Sequence, residues 1–236
     1  MKLGILSDAH GNYPALRAVL AEIDRLGCDR VISLGDVTGY YSQPAECLEA
    51  LASRAAIQLL GNHDSYLVQG SSCDRSKTVA ELILHQRKQI KPHHMTLLNA
   101  MKPNYDEDDM RFVHGSWENP LDGYLYKVST NDLPGDQRFY FAGHSHVQHL
   151  ACFDDKTFCN PGSVGQPRDG DPRAAFAVLC DGLVTLHRVA YDIEETVLAM
   201  KRAGYQESRL WENLFIGAQI GGRIDSITSA HTSHDT

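Results

Sequence analysis

The sequence predicts an α/β fold made of two packed mixed β-sheets, a β-sandwich flanked by α-helices. Three observations carry that prediction. Apolar strand-like runs at residues 3–7, 30–34 and 56–60 alternate with amphipathic stretches at roughly 25-residue spacing, the pattern of right-handed βαβ crossovers with parallel pairing. After about residue 110 the pattern changes to a series of short strands, and Asp181-Gly182 between the last two is a strong hairpin signal. The length, 236 residues, fits one such domain.

The elements follow in order. After the first strand, Leu16, Val19, Leu20, Ile23 and Leu26 recur at helical spacing, with Pro14 near the start and Gly27 just past the end, where a helix accepts them. The second strand leads through a loop to a helix beginning near Pro44, with Cys47, Leu48 and Leu51 on one face. Residues 77–101 read as helical with a break at Pro92, and the wider stretch 65–105 as a helical excursion from the sheet. Short strands are expected at 111–113, 138–142, 148–153, 157–159, 174–180 and 183–189, and a helix at 194–202. A single domain is therefore expected over residues 1–220. Residues 221–236 are polar and small and read as a flexible tail.

Lys plus Arg number 22 against 30 Asp plus Glu, a formal charge of −8, which argues against a non-specific grip on nucleic acid or anionic lipid. No apolar run approaches the ~18 residues a membrane span needs. Asp8 and His10 interrupt any signal-peptide core, so a cytoplasmic location is expected. Six cysteines without a C-x-x-C pair are expected as free thiols, the alternative being a Cys152–Cys159 pairing across a hairpin. The unusual figure is 12 histidines, because imidazole both ligates metals and moves protons near neutral pH.

Five short patterns sit at predicted strand ends: Asp8-Ala9-His10, Gly35-Asp36-Val37-Thr38-Gly39, Gly61-Asn62-His63-Asp64, His114, and Gly143-His144-Ser145-His146. Singly, each has an ordinary structural explanation as a cap, a turn or a core histidine. In a parallel sheet, however, the carboxyl ends of the strands share one edge, so residues far apart in sequence converge there.

Together these patterns resemble the calcineurin-like metallophosphoesterase superfamily, whose signature is D-x-H, G-D-x-x-G, G-N-H-[DE], a lone His and G-H-x-H. The chain is most similar to the compact bacterial and archaeal phosphodiesterase branch, with S-D-x-H-G-N at Ser7 to Asn12 and N-P-G-S-V-G-Q-P-R at Asn160 to Arg168. The resemblance runs from residue 1 to about 190. It implies the calcineurin-like fold and a site for two divalent ions, with Asp8, His10 and His146 on one, Asn62, His114 and His144 on the other, and Asp36 between them. Manganese is the first expectation, with iron, zinc or nickel as alternatives for a donor set without thiolate. The implied nucleophile is a hydroxide bridging the two ions, so no phospho-enzyme is expected.

By the same resemblance His63 stabilises developing charge or protonates the leaving oxygen, and Asp64 orients it. A carboxylate partner would raise its proton affinity. Substrate contacts are expected at Asn12, Arg168 and Arg173, although Asn12 is equally a helix cap and the segment 160–168 a structural turn. Tyr40 and Tyr41 are placed to stack on a base or, as loop tyrosines, to do nothing so definite. The expected partner is a small phosphorylated or nucleotide substrate, with no stable nucleic-acid complex and no membrane. Open alternatives are a nucleotide monoester phosphatase, a protein serine/threonine phosphatase, a non-catalytic scaffold of the same fold, and a nuclease. The acidic chain and absent basic stripe argue against the last.

Overall fold

The computed structural model describes residues 1–71, 73 and 76–230. In chain order the elements are β1 (Lys2–Leu6), α1 (Tyr13–Arg25), β2 (Arg30–Ser33), α2 (Pro44–Arg54), β3 (Ile57–Gln58), α3 (Asn62–Gln69), α4 (Lys77–Arg87), α5 (Pro92–Ala100), β4 (Asn104–Glu107), β5 (Met110–Val113), β6 (Lys127–Val128), β7 (Phe139–Ala142), β8 (Gln148–Phe153), β9 (Lys156–Pro161), β10 (Ala174–Cys180), β11 (Leu183–Val189), α6 (Ile193–Arg202) and β12 (Thr228–Ser229). None of the described helices is long and apolar enough to cross a membrane.

Two five-stranded sheets form, ordered β11-β10-β1-β2-β3 and β4-β5-β7-β9-β8. In the first, β1, β2 and β3 pair in parallel, as the crossover spacing predicts, and the β10–β11 hairpin adds antiparallel strands at the β1 edge. Asp181 and Gly182 both have positive φ, 51° and 77°, the combination that a two-residue hairpin turn requires. In the second sheet β5, β7 and β9 are parallel, and only β4 and β8 at its margins run antiparallel. Strand β4, with the polar sequence Asn-Tyr-Asp-Glu, carried no strand signal and forms because it pairs with β5 at the sheet margin.

The sheets face each other across a shared core of Leu3, Ile5, Ile32, Phe112, Phe141 and Leu179, in which Phe112 and Phe141 stack with centroids 5.1 Å apart. Helices α1 and α2 bury Leu16, Val19, Ile23, Cys47, Leu48 and Leu51 against the outer face of the first sheet. The outer face of the second is covered by the loops around Leu125 and Leu133 and by Ile227. That last contact corrects the expected tail. Ile227 is 8% exposed, β12 pairs in parallel with β6, and the Asp225 amide donates to the Arg168 carbonyl, so residues 221–230 are docked. The burial of Ile227, the strand pairing and the hydrogen bonds of Asp225 together hold a segment whose composition looks frayed. Residues 231–236 of that expected tail lie outside the described residues.

All six thiols are free. The β8–β9 register sets Cys152 opposite Thr157 and Cys159 opposite Leu150, which excludes the alternative hairpin disulfide. Because Phe141 is fully buried between the sheets, Phe141→Ala is expected to cost about 3–5 kcal/mol in urea unfolding; a loss below 1 kcal/mol would contradict this core.

Candidate metal centre and active site

Asp8 and His10 follow β1, Asp36 follows β2, Asn62 and His63 open α3, His114 follows β5, and His144 and His146 follow β7. Both sheets therefore deliver residues from strand ends to one place. All eight side chains are buried, none more than 6% exposed. Five of them, Asp8, His10, Asp36, His144 and His146, adopt left-handed φ between 51° and 64°. For a residue with a Cβ this costs roughly 1–2 kcal/mol, and such strain collects where a site demands it. Backbone hydrogen bonds from Asp8 to Gly35 (3.0 Å), His10 to Asp36 (2.9 Å) and Gly11 to Val37 (2.8 Å) hold the first two motif loops in that shape.

Three imidazoles are locked by what their outer nitrogens do. Nδ1 of His10 donates to the Thr38 carbonyl (2.8 Å), Nδ1 of His114 to Leu34 (3.0 Å) and Nδ1 of His146 to Gln166 (2.7 Å). A carbonyl only accepts, so each Nδ1 carries a proton and each ring turns its Nε2 inward, where the neutral form offers a lone pair. Those Nε2 atoms converge. Nε2 of His10 lies 3.0 Å from Nε2 of His146, and Nε2 of His114 lies 3.2 Å from both the Asn62 carbonyl oxygen and Nδ1 of His144. Asp8 Oδ1 is 3.3 Å from His146 Nε2, and Asp36 Oδ2 is 3.6 Å from His10 Nε2 and 3.4 Å from His114 Nε2. Asp8 Oδ1 and His144 Nε2 are buried without a hydrogen-bond partner. Acceptors facing acceptors repel unless a cation lies between them, and this donor set fits divalent ions.

Three donor groups each fall within 4.8 Å: Asp8, His10 and His146; His10, Asp36 and His63; and Asp36, His114 and His144. Asp36 belongs to the last two, which places it between the ends of the cluster. His63 approaches more closely than the motif suggested, and its own amide donates to Asp36 Oδ1 at 2.9 Å. Two glycines make room. A Cβ on Gly61 would stand 2.0 Å from Asp36 Oδ1, and one on Gly39 2.3 Å from His10 Nδ1 and 2.7 Å from His63 Nδ1.

Asp64 does not do what the motif reading assigned to it. Its carboxylate accepts from the amides of Val37, Thr38 and Gly61 and from the Thr38 hydroxyl, so it fastens the loop after β2 to the start of α3. His63 Nδ1 has no hydrogen-bond partner. Burial drives the His63 imidazole down to about 4 despite the attraction of Asp36, with His146 and Arg168 adding to the fall. The expected rise in its proton affinity is thus reversed, because burial dominates and the Asp64 carboxylate expected to oppose it faces the other way. Burial, reinforced by Asp36, lifts Asp64 itself to about 6.

Of the expected substrate contacts, Arg168 reaches the site and the other two do not. Arg168 is 6% exposed; its Nε and Nη2 donate to Gln166, and Nη2 also to the Tyr40 hydroxyl (3.0 Å). Among the described residues no carboxylate pairs with it. Asn12 is fully buried with its amide saturated: it accepts from Ala15 N and the Thr196 hydroxyl and donates to the Gly165 carbonyl and the Tyr191 hydroxyl. It is a helix cap and loop brace with nothing left for a substrate. Arg173 is exposed and held in a fork by Asp171 two residues before it, away from the cluster.

Tyr41 is buried, its hydroxyl accepting from Gln166, whereas the Tyr40 ring sits 4.7 Å from His10 and 4.9 Å from His63. Two participants carried no sequence signal. Tyr124 stacks on His144 at 3.9 Å, and Gln86 of α4 accepts from the Gly39 amide and donates to the Tyr41 carbonyl. The helical excursion thereby braces the loop beside His10. A lone Gln in a helical pattern gives no hint of this.

The fold and this cluster define a metallophosphoesterase arrangement, and residues 1–181 match the model of the calcineurin-like phosphoesterase superfamily domain. The chain belongs to that family. An uncharacterized protein of Methanocaldococcus jannaschii, MJ0912, is 30% identical over 239 residues, covering 91% of this chain and 98% of its own. The crystal structure of a metallophosphoesterase from Sphaerobacter thermophilus is 33% identical with a TM-score of 0.81, covering 92% of this chain and 99% of that one. A hypothetical protein, PH1004, from Pyrococcus horikoshii OT3 shares the fold at 19% identity and a TM-score of 0.79, with the same coverage of both chains.

The electrostatics of the cluster set its pH behaviour. Burial pushes His10, His144 and His146 down, so they are neutral near pH 7. Burial also opposes charge on His114, but Asp36 outweighs it and raises that imidazole from 6.5 to about 9. Without metal, a proton on His114 therefore supplies the positive charge; the stability it contributes is present below pH 6.5 and lost as pH rises through about 9. A cation taking the Nε2 lone pair must displace that proton. Divalent-ion affinity is expected to rise between pH 6.5 and 9, with release of about one proton per chain from this group, measured by calorimetry in two buffers of different ionisation heat. Affinity independent of pH with no proton release would contradict this.

Proposed function

We propose that this chain is a metal-dependent hydrolase of small phosphate esters, with phosphodiesters and nucleotides as its substrates. The observation that carries this reading is the convergence of imidazole nitrogens and buried carboxylates beside a buried guanidinium that, among the described residues, no carboxylate pairs with. Asp8, His10 and His146 would hold one divalent ion, and Asn62, His114 and His144 a second, with Asp36 shared. Such ions, manganese in the first instance, supply Lewis-acid polarisation of phosphoryl oxygens and a water of lowered pKa.

The chain's own groups account for the rest. Arg168 presents a buried guanidinium whose Nη1 is left to donate to a phosphoryl group, and Gln166 and Tyr40 fix its orientation. The Tyr40 ring, packed against His10 and His63, limits how far solvent reaches the cluster on that side. His63, neutral at working pH, is placed to donate a hydrogen bond to the phosphoryl group or the departing oxygen. Asp64 acts at one remove by holding the loop against which His63 packs. The free thiols suit a reducing compartment, which favours the cytoplasm.

Hydrolysis of bis(p-nitrophenyl) phosphate with added Mn²⁺ tests the reading, and activity absent with every divalent ion tried would sink it. His63→Ala is expected to leave the metal content measured by elemental analysis unchanged and to lower kcat by about 10²–10⁴, the usual contribution of a proton-transfer or hydrogen-bonding group. Loss of metal in that variant would instead make His63 a ligand.

A further inference from the structure

A cavity of about 580 Å³ opens beside the cluster, within the range of small-molecule sites. Arg168 and Tyr40 line its inner end, where Tyr40 touches His10, and Tyr124 lines it where that ring lies on His144. It therefore adjoins the candidate metal centre across those two rings. Its further wall comes from the C-terminal segment, through Arg209, Ile220 and Arg223, all beyond the residues 1–181 that match the family domain.

The lining has a distinct chemistry. Three guanidinium groups face it and, among the described residues, no carboxylate does. Arg209 is tied from outside the lining by Glu207 and by the Thr78 hydroxyl (3.2 Å), and Arg223 by Asp225 (2.9 Å). Those ties orient the two forks in advance. Tyr124 and Tyr126 stack on each other, parallel to within 8° with centroids 5.2 Å apart, and both rings line the cavity as an aromatic stack. Arg168 adds a buried charge whose Nη1 makes no hydrogen bond to the described chain.

We propose that this cavity is a subsite for a nucleoside bearing two phosphates. One phosphate lies at Arg168 toward the metal centre, the second at Arg209 and Arg223, and the base lies against the Tyr124–Tyr126 stack. The inference rests on the phosphoesterase reading and narrows it to nucleoside polyphosphates and their esters. Guanidinium groups match phosphate oxygens, and an aromatic stack accepts any base against an open ring face. The C-terminal segment is then a specificity element.

Binding to metal-free full-length protein tests this apart from catalysis. With chelator present, adenosine, AMP, ADP and pyrophosphate are titrated by calorimetry. ADP is expected to bind at least about tenfold more tightly than AMP, and more tightly than pyrophosphate, because a second charge-assisted contact and a base contact are added. In Arg209→Gln/Arg223→Gln the advantage of ADP over AMP is expected to fall below about threefold, and in Tyr126→Ala the advantage of ADP over pyrophosphate to shrink. Equal affinity for AMP and ADP, or an ADP advantage that survives the double arginine change, would overturn the proposal. Turnover of bis(p-nitrophenyl) phosphate separates the two readings: activity there without ADP selectivity defeats the subsite alone, and ADP selectivity without any turnover defeats the hydrolase.

Discussion

Three imidazoles held with their Nδ1 protons on the backbone carbonyls of Thr38, Leu34 and Gln166 have no choice but to turn their Nε2 atoms into the cluster. Most of the surrounding structure serves or tolerates that arrangement. The carbonyls belong to the loops after β2 and after β9, and the His114 contact joins the end of β5 in the second sheet to the residue after β2 in the first, so that ring is fixed only when both sheets are in place. The left-handed backbone at five of the converging residues is the local cost, and the loop-to-loop hydrogen bonds around Gly35 to Val37 offset it. Without a cation, the proton retained by His114 beside Asp36 is what the folded chain has in its place.

The sandwich makes the convergence possible. Parallel β1, β2 and β3 present one edge and parallel β5 and β7 another, and the Phe112–Phe141 core between them sets how the edges meet. Gly39 and Gly61 leave space that a side chain would close. Asp64 and Gln86 then fasten the loop after β2 from two sides, one from α3 and one from α4. The helical excursion is in this way part of the site's scaffold although it contributes no donor to the cluster.

Much of this was legible in the sequence, and the reasons are physical. A D-x-H or G-H-x-H after a strand is a local pattern, and strand ends in parallel sheets converge whatever the intervening chain does, so Asp8, His10, Asp36, Asn62, His114, His144 and His146 were found as a set. Side-chain direction across space was not legible. Asp64 turns to Val37, Thr38 and Gly61 rather than to the His63 beside it in sequence. Arg173 is captured by Asp171, and Asn12 is used up by four neighbours. Residues that work by packing, such as Tyr124 on His144, carry no motif at all. The docked segment 221–230 was hidden for a similar reason: Ile227, one strand pairing and the hydrogen bonds of Asp225 decide it, against a composition that suggests fraying.

The central proposal is that the converging imidazole nitrogens and buried carboxylates make a paired cation site. The most direct measurement is the number of divalent ions that the purified chain retains after loading with Mn²⁺ and removal of free metal, counted by elemental analysis. The account predicts two ions per chain, falling in Asp36→Asn because that carboxylate is shared. A chain that retains none, or that keeps its full complement without Asp36, would contradict it.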